Sequence, residues 1–283
     1  MTNLKKIALI ILCVFFLPVV VFAAEKTFHP LAAKAAILVD LNTGKVLYQQ
    51  NIDRVIQPAS LSKIMSLYLI SEDIEKKKAN YSDLVMISAN AVHTGGSKML
   101  FEPGAQYEVF DLVKGMAVHS ANDASVALAE HFAGSVDNFV LRMNAKARDL
   151  GMKHTHFVNP HGLPNRKQTT TARDICMLSR EYLRRFPNSQ KIHSIERFTF
   201  KDSILTNRND LLHNYPGADG LKTGYVGAAG FHLVATAKRG DAKLMAVVLG
   251  AQNRRIRSQQ TRKLLDYGFI KVGVQHEKAM IGG

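Results

Sequence analysis

Strand signals lie near both ends of this chain, and helix signals fill the middle. Near the start, AKAAILVD and KVLYQQN are typical of two strands joined by a turn at Asn42 and Gly44. Near the other end, Phe231, Leu233, Ala235 and Ala237 alternate with His232, Val234 and Thr236, as the two faces of a strand do. The segment KRGDAK then turns the chain back into a second apolar strand. Between these hairpins lie segments with apolar residues at helical spacing: VFDLVKGMAVHS, NDASVALAEHFAG, VDNFVLRMNAKARDLG and ARDICMLSREYLRRF. This pattern predicts one sheet built from the two ends of the chain, an inserted helical region, and a final helix, RRIRSQQTRKLLDYGF, covering the sheet.

The first residues have the form of an export signal. The basic segment MTNLKK precedes the apolar run IALIILCVFFLPVVVFAA, whose small residues predict cleavage between Ala23 and Ala24. We therefore expect residues 1–23 to be removed and the protein to lie in the periplasm or cell envelope. An uncleaved anchor is the alternative, although the run is short for a bilayer span of about 20 residues. Association with a membrane is expected only if this segment is retained.

Charge and cysteine content narrow the class of protein further. The chain of 283 residues has a net charge of +14, and loss of Lys5 and Lys6 with the signal leaves it strongly basic. For an exported protein this favours anionic lipid, envelope polymers or carboxylate substrates over nucleic acid, which we do not expect as a partner. A solvated basic surface without a specific partner explains the charge equally well. Cys176, which lies with Ile175 and Leu183 on an apolar helix face, is interpreted as a core residue without a disulfide partner.

A serine and a lysine stand three residues apart in PASLSKIM, at the start of a predicted helix. Residues at this spacing share a helix face, so the Lys63 amine can lie within hydrogen-bond distance of the Ser60 hydroxyl. Lysine is a poor base at neutral pH, and only burial or nearby positive charge would lower its pKa enough. One such pair is expected by chance in a chain of this size.

Two further motifs make a chance match improbable. The order S-x-x-K, S-D-N and K-T-G is the signature of penicillin-binding proteins and class A β-lactamases. Here SLSK is followed by SAN at Ser120–Asn122 and by KTG at Lys222–Gly224. A second SAN occurs earlier, at Ser88–Asn90, and spacing alone does not choose between the two copies.

Over essentially the whole mature chain, the sequence resembles the low-molecular-mass penicillin-binding proteins of the D-alanyl-D-alanine carboxypeptidase family. Matching stretches include AAILVDLNTGKVLYQQN, GSKMLFEPGAQYEVFDLVKGMAVHSANDASVALAEH, FVNPHGLP, DGLKTGYVGAAGFHLVATAKRG and RKLLDYGF. The resemblance implies an α+β fold of the β-lactamase and DD-peptidase type, with an antiparallel sheet flanked by helices and an inserted all-helical subdomain. It also identifies SANDASVALAE as the second motif, so that Ser88 is interpreted as a local turn or cap residue. Residues 24–283 are expected to form one catalytic domain, without the β-rich domain and anchor helix of longer members.

The resemblance implies a serine-type carboxypeptidase that removes the terminal D-alanine from peptidoglycan stem peptides through an acyl-enzyme. The substrate would be the peptidoglycan pentapeptide, β-lactam antibiotics would be covalent inhibitors, and no cofactor or metal is expected. The catalytic residues carried over from the family are Ser60 as nucleophile, Lys63 as its base, Ser120 as proton relay and Asn122 as a holder of the substrate amide. The substrate-binding residues carried over are Lys222, Thr223, Gly224, Tyr225 and Arg257.

Three alternatives stay open at this stage. A class A β-lactamase needs a glutamate between the second and third motifs, and none occurs from His131 to Arg180. A D,D-endopeptidase that cleaves peptidoglycan cross-links is the nearest rival, because single-domain relatives with that specificity exist. A lactam-binding or polyanion-binding envelope protein without turnover would explain the charge but would not need Ser60, Lys63 and Lys222 together. His161 in NPHGLP is expected to be a hydrogen-bonding loop residue rather than a base.

Overall fold

A computed structural model describes residues 28–273. The predicted signal, residues 1–23, lies outside the described residues and stays a prediction. The strands are β1 (Ala35–Asp40), β2 (Val46–Gln50), β3 (Leu84–Met86), β4 (Gln106–Glu108), β5 (Arg197–Phe200), β6 (Ser203–Thr206), β7 (Ala218–Val226), β8 (Gly230–Arg239) and β9 (Ala242–Ala251). The helices are α1 (Ser62–Glu75), α2 (Ala89–His93), α3 (Val109–Lys114), α4 (Asn122–Ala133), α5 (Val136–Asp149), α6 (Ala172–Arg185), α7 (Gln190–His193), α8 (Leu211–Asn214) and α9 (Arg254–Lys271).

The central sheet has five strands in the order β2-β1-β9-β8-β7, and every neighbouring pair is antiparallel. Strand β1 pairs with β9 in the register Ala35↔Leu249, so the two ends of the described chain meet in the middle of the sheet. This confirms the predicted sheet assembled from both ends and the α+β fold class. The two remaining sheets of residues 28–273 are two-stranded: β3 pairs with β4, across the intervening helix α2, and β5 and β6 form a hairpin.

Both faces of the central sheet are buried, because helices cover each of them. Side chains alternate between the faces of a strand. In β9, Met245 and Val247 pack with the helical region, whereas Leu244, Ala246 and Val248 pack with α9. Burial on both faces explains why this strand is apolar at almost every position rather than at every second one.

Helix α1 runs through the centre of the helical region and carries the serine-lysine motif at its start. Every residue from Ser62 to Ile70 is buried, which fits a helix surrounded by protein on all sides. Helices α5 and α6, which pack against α1, and α9, on the other face of the sheet, begin at side-chain caps, where Ser135, Thr171 and Asn253 respectively accept backbone N–H groups.

The prediction that Cys176 is a core residue is confirmed. Its side chain is buried in α6, and burial raises the pKa of the thiol to about 12, so it stays protonated and unreactive at neutral pH. Within residues 28–273, no helix has both the length and the apolar character needed to cross a bilayer.

Candidate active site

Ser60 and Lys63 lie at the junction of a short 3-10 turn and helix α1. Ser60 is the middle residue of the turn Ala59–Leu61, and Lys63 lies in the first turn of α1. The Lys63 Nζ lies 3.2 Å from the Ser60 Oγ. The three-residue spacing therefore brings the amine to the hydroxyl, as the helical pattern predicts.

The Lys63 amine is fully buried and contacts two further oxygen atoms. The Asn122 Oδ1 and the backbone carbonyl of His161 each lie 2.6 Å from Nζ. A neutral amine has two N–H groups, which these two oxygens accept, and one lone pair, which is left to face the Ser60 hydroxyl. Burial lowers the pKa of Lys63 well below its usual range, and the charges of Lys222 and Arg208 lower it further. The site therefore favours the neutral, proton-accepting form of Lys63.

The second SAN copy borders the same cleft as Ser60. Ser120 follows a π-helical turn, Gly115–His119, and adopts a left-handed conformation with φ of 65°, which is uncommon for a residue with a side chain. Asn122 is the first residue of α4, and its Nδ2 donates to the Gly95 carbonyl at 2.7 Å. That bond fixes the amide orientation and directs Oδ1 towards Lys63.

The first SAN copy has a structural role instead. Ser88 caps α2, because its hydroxyl accepts the Ala91 N–H at 3.0 Å. The same hydroxyl donates to the Glu130 carboxylate at 2.6 Å, and Asn90 donates to its other oxygen at 2.7 Å. Neither Ser88 nor Asn90 lines the cleft that contains Ser60. The interpretation of Ser88 as a cap residue is confirmed.

Strand β7 forms the wall of the cleft opposite Asn122. Gly224 packs so tightly against the turn that an added Cβ would lie 3.3 Å from the Ser60 nitrogen and 3.4 Å from the Pro58 carbonyl oxygen. A side chain at this position would push the strand away from the nucleophile. Beyond it, Tyr225 is 59% exposed and stacks on Phe231 with ring centroids 4.2 Å apart.

The cleft has a volume of about 460 Å³ and carries a strong positive charge. Buried Lys222 lies next to Thr223 on β7, and burial together with Arg208 and Arg257 lowers the pKa of Lys222 to about 7. Among the described residues, none of those that line the cleft is acidic. The lining consists of Ser60, Gly96, Ser97, Ser120, Asn122, Gly162, Leu163, Pro164, Arg208, Thr223, Gly224, Tyr225, Phe231, Arg254 and Arg257. Such a cleft suits a ligand with a carboxylate.

Arg257 reaches this cleft from α9 but is already partly engaged. Its Nη2 donates to Asp210 Oδ1 at 2.5 Å and to Ser258 Oγ at 3.1 Å. Its buried Nε has no hydrogen-bond partner among the described residues. Arg257 therefore keeps a free donor in a buried guanidinium.

The sequence shows the family to which this cleft belongs. The family model described as D-alanyl-D-alanine carboxypeptidase matches residues 21–253. The chain belongs to this family. It is 42% identical over 248 residues to the D-alanyl-D-alanine carboxypeptidase DacF of Bacillus subtilis (strain 168), covering 84% of this chain and 62% of that protein. The chain thus spans less than two thirds of the length of that relative.

Solved structures of penicillin-binding proteins share the fold. Penicillin binding protein 5 from Haemophilus influenzae superimposes with a TM-score of 0.84 at 37% identity, covering 86% of this chain and 72% of that chain. Penicillin-binding protein D2 from Listeria monocytogenes, solved in a cefotaxime-bound form, has a TM-score of 0.78 at 30% identity and covers 86% of this chain and 100% of that chain. The resemblance stated from the motifs is confirmed.

This member of the family also has cleft residues that the three motifs do not predict. Arg208 lies in the cleft, and its guanidinium acts on both buried lysines, yet TNRND carries no periodicity or motif that marks it. The loop around His161 is visible in the sequence, because FVNPHGLP is one of the stretches that match the family. The His161 carbonyl accepts from Lys63, and its Nδ1 accepts the Leu163 N–H at 3.1 Å, so His161 is a loop hydrogen-bonding residue as predicted.

The loop that carries His161 is fixed against the nucleophile. The hydroxyls of Ser66 and Ser125 both donate to the Pro160 carbonyl, at 2.8 and 3.1 Å. Gly162 lies at φ of 88°, and an added Cβ there would lie 1.9 Å from the Ala59 carbonyl oxygen. The loop therefore holds the Lys63 acceptor at a defined position. Within residues 28–273, no group of three or more His, Cys, Asp or Glu side chains could hold a metal ion.

Proposed function

We propose that this protein is a serine-type D-alanyl-D-alanine carboxypeptidase that removes the terminal D-alanine from peptidoglycan stem peptides through an acyl-enzyme. The observation that carries the proposal is the buried Lys63 amine, which lies 3.2 Å from the Ser60 Oγ at a cleft whose described lining residues include cationic but no acidic side chains. A base next to a serine supports acyl transfer. The cationic end of the cleft supports a substrate that ends in a carboxylate.

In the acylation step, the Ser60 Oγ attacks the carbonyl carbon between the two D-alanines, and Lys63 takes the hydroxyl proton. The negative charge that develops on the carbonyl oxygen is stabilised by the backbone N–H groups of Ser60 and Tyr225. The absence of a side chain at Gly224 allows the substrate backbone to approach the turn closely.

Release of the terminal D-alanine needs a proton on its amine. Ser120 relays this proton from Lys63 to the departing nitrogen, while Asn122 holds the peptide amide of the substrate. Water then attacks the ester, the Ser60 oxygen recovers a proton, and the shortened peptide leaves.

The terminal carboxylate of the substrate is bound at the positive end of the cleft. Lys222 supplies charge, the Thr223 hydroxyl donates a hydrogen bond, and Arg257 adds positive charge to the cleft that it lines. Arg208 adds a second guanidinium, and a planar fork of donors suits a carboxylate. Binding of the anion raises the proton affinity of Lys222 and so keeps it charged.

The cellular role follows from the same proposal. Residues 1–23 would direct export, and the protein would act in the periplasm or cell envelope during peptidoglycan synthesis, with an influence on cell shape. β-Lactams would acylate Ser60, because their carbonyl mimics that of the D-alanyl-D-alanine peptide.

The proposal is tested by product analysis with purified peptidoglycan fragments. We expect release of D-alanine from a pentapeptide and no cleavage of a cross-linked dimer. Intact-mass measurement after addition of penicillin should show a single adduct, which Ser60→Ala should lack. Cleaved cross-links without released D-alanine would contradict the assigned specificity, and labelling of Ser60→Ala would contradict the nucleophile.

The two SAN copies provide a matched pair of variants. Ser120→Ala removes the proposed proton relay and is expected to slow D-alanine release by roughly 10²-fold, in the range of general acid-base effects. Ser88→Ala removes only a helix cap and the bond to Glu130, so turnover should stay near the parent value while thermal stability falls. If Ser88→Ala slowed D-alanine release and Ser120→Ala did not, the proton relay would belong to the first SAN copy instead.

A further inference from the structure

His232 is a fully buried residue on β8 that none of the three motifs includes. It lies opposite Gly224 in the register of β7 and β8. The pairing of β8 with β9 shifts at this position, between Phe231 and Leu233. The imidazole therefore lies at an irregular point of the sheet, directly across from the glycine that packs against the nucleophile.

The ring of His232 makes two hydrogen bonds to backbone groups on different segments. Nδ1 lies 2.9 Å from the Gly250 nitrogen on β9, and Nε2 lies 3.0 Å from the Gln57 carbonyl oxygen. A backbone N–H only donates and a carbonyl only accepts, so Nδ1 must be unprotonated and Nε2 must carry the hydrogen. Burial, which lowers the pKa of His232 to about 4, keeps the ring neutral.

Gln57 directly precedes the segment that presents the nucleophile. The Leu61 N–H donates to the Pro58 carbonyl at 3.2 Å, so the turn that contains Ser60 starts next to the atom that His232 holds. The same segment packs on Gly224, across the strand pair from His232. The ring thus connects β8 and β9 to the base of the Ser60 turn.

We propose that His232 is a positioning residue for acylation: its Nε2–H holds the Gln57 carbonyl, and through it the Ser60 turn, against the sheet. Loss of that bond lets the turn move relative to β7, which carries the second oxyanion donor. A displacement of about 1 Å at a reacting group can cost on the order of 10²-fold in rate. The inference rests on Ser60 being the acylated residue, as in the proposed function.

Two amide substitutions separate the two hydrogen bonds. The side-chain nitrogen of glutamine can reach the position of Nε2, so His232→Gln keeps a donor for Gln57. The shorter asparagine places its oxygen near the position of Nδ1, so His232→Asn keeps an acceptor for Gly250 and loses the bond to Gln57. Both variants retain a neutral polar group in the buried position.

The experiment measures the acylation rate constant and the dissociation constant of the preceding noncovalent complex with penicillin. For His232→Asn we expect acylation to slow by roughly 10- to 100-fold, with binding within about 3-fold of the parent. For His232→Gln we expect both constants within about 3-fold of the parent. Hydrogen-exchange mass spectrometry should show faster exchange in residues 57–61 for the Asn variant only.

A buried substitution on the other face of the sheet controls for lost stability. Phe269→Leu truncates a buried ring of α9 that belongs to the core between this helix and the sheet, and it should lower the melting temperature while leaving acylation unchanged. Equal acylation rates in the two His232 variants, or a slower Gln variant, overturn the proposal. If the Asn variant does not fold, the Gln variant decides alone, since a drop of more than about 10-fold there contradicts the assigned role. Failure of the carboxypeptidase proposal would show separately, as absence of D-alanine release by the parent.

Discussion

The two ends of helix α1 carry charges that both oppose the helix dipole, but the protein treats them in opposite ways. The positive end of the dipole lies at the N-terminus, where Lys63 lies, and the negative end at the C-terminus, where Glu72, Asp73 and Glu75 lie. At the C-terminal end each carboxylate has a cationic partner. The Glu72 Oε1 accepts from Lys146 at 2.9 Å and from Arg185 at 2.5 Å.

At the N-terminal end no carboxylate forms an ion pair with Lys63 within residues 28–273. Its contacts are a hydroxyl, an amide oxygen and a carbonyl, and the charges that act on it most strongly are the cations Lys222 and Arg208. Carboxylates with cationic partners stay ionised, whereas burial of an amine without a counterion favours its neutral, deprotonated form. The same helix therefore holds stabilising carboxylates at one end and a reactive amine at the other.

The largest expected effect comes from fixing the charge at the N-terminal end. Lys63→Arg keeps a cation but removes a group that can deprotonate at ordinary pH. Acylation by penicillin should fall by at least the ~10²-fold attributed to general-base catalysis. Circular dichroism should show an intact fold. A variant that acylates near the parent rate would make Lys63 an ordinary buried charge.

A matched pair of arginines sharpens the comparison. Arg208 lines the cleft, and no ion pair joins it to another described residue, whereas Arg142 binds Asp73 at 2.5 Å. Arg208→Gln should raise the KM for a D-alanyl-D-alanine peptide roughly 10-fold, the equivalent of one charge-assisted hydrogen bond, and leave stability unchanged. Arg142→Gln should do the opposite, lowering the unfolding free energy by about 1 kcal/mol with KM unchanged. Steady-state kinetics and urea unfolding of both variants decide the point.

The ion pairs at the C-terminal end of α1 are tested by neutralising Glu72. Glu72→Gln leaves Lys146 and Arg185 without their shared partner and should lower the unfolding free energy by roughly 1–3 kcal/mol, with acylation near the parent rate. Burial opposes ionisation of Glu72, but its cationic hydrogen-bond partners outweigh that effect and lower its pKa from 4.5 to about 2. Because the folded-state pKa is the lower one, the stabilisation is complete above pH 4.5 and is lost as the pH falls towards 2. Acid unfolding curves should show this loss in the parent and not in the variant.

A last pH test concerns Lys222, whose pKa, like that of Glu72, is lower in the folded protein than in the unfolded chain. Its pKa falls from 10.5 in the unfolded chain to about 7 in the folded protein. Between these values the unfolded chain binds a proton that the folded protein does not, so stability rises with pH across this window. Urea unfolding from about pH 7 to pH 10 should show a steeper rise in the parent than in Lys222→Met. Equal slopes would mean that Lys222 stays charged in the fold.

Local patterns in the sequence predict much of the fold. The hairpin β1-β2, the strands β8 and β9, and the helices from α3 to α6 and at α9 coincide with the periodic segments, because each buries a regular face and ends at turn or cap residues. The two-stranded sheets β3-β4 and β5-β6 have strands of only three or four residues, too short to display a period. The π-helical turn before Ser120 has no sequence signal of its own.

Local motifs predict some residues of the candidate site, whereas others are apparent only in the folded structure. Ser60, Lys63 and Lys222 belong to short motifs and are visible in the sequence, and the resemblance selected Ser120 over Ser88. Arg208 and His232 are not visible, because their contacts join segments far apart in the chain, such as His232 to Gln57. Pairings of this kind are properties of the folded chain rather than of any local pattern. The boundaries of the catalytic domain stay a prediction.

The pairing of β1 with β9 has a consequence for how the protein becomes active. A sheet whose central pair joins opposite ends of the chain has a high contact order, so folding waits until almost the whole described chain is present. The nucleophile turn comes early in the sequence, but its opposing wall, β7, and the His232 contact come near the end. A chain that is still being synthesised therefore has no formed site until its last strands are present. The catalytic site is therefore completed late, when the last strands join the sheet.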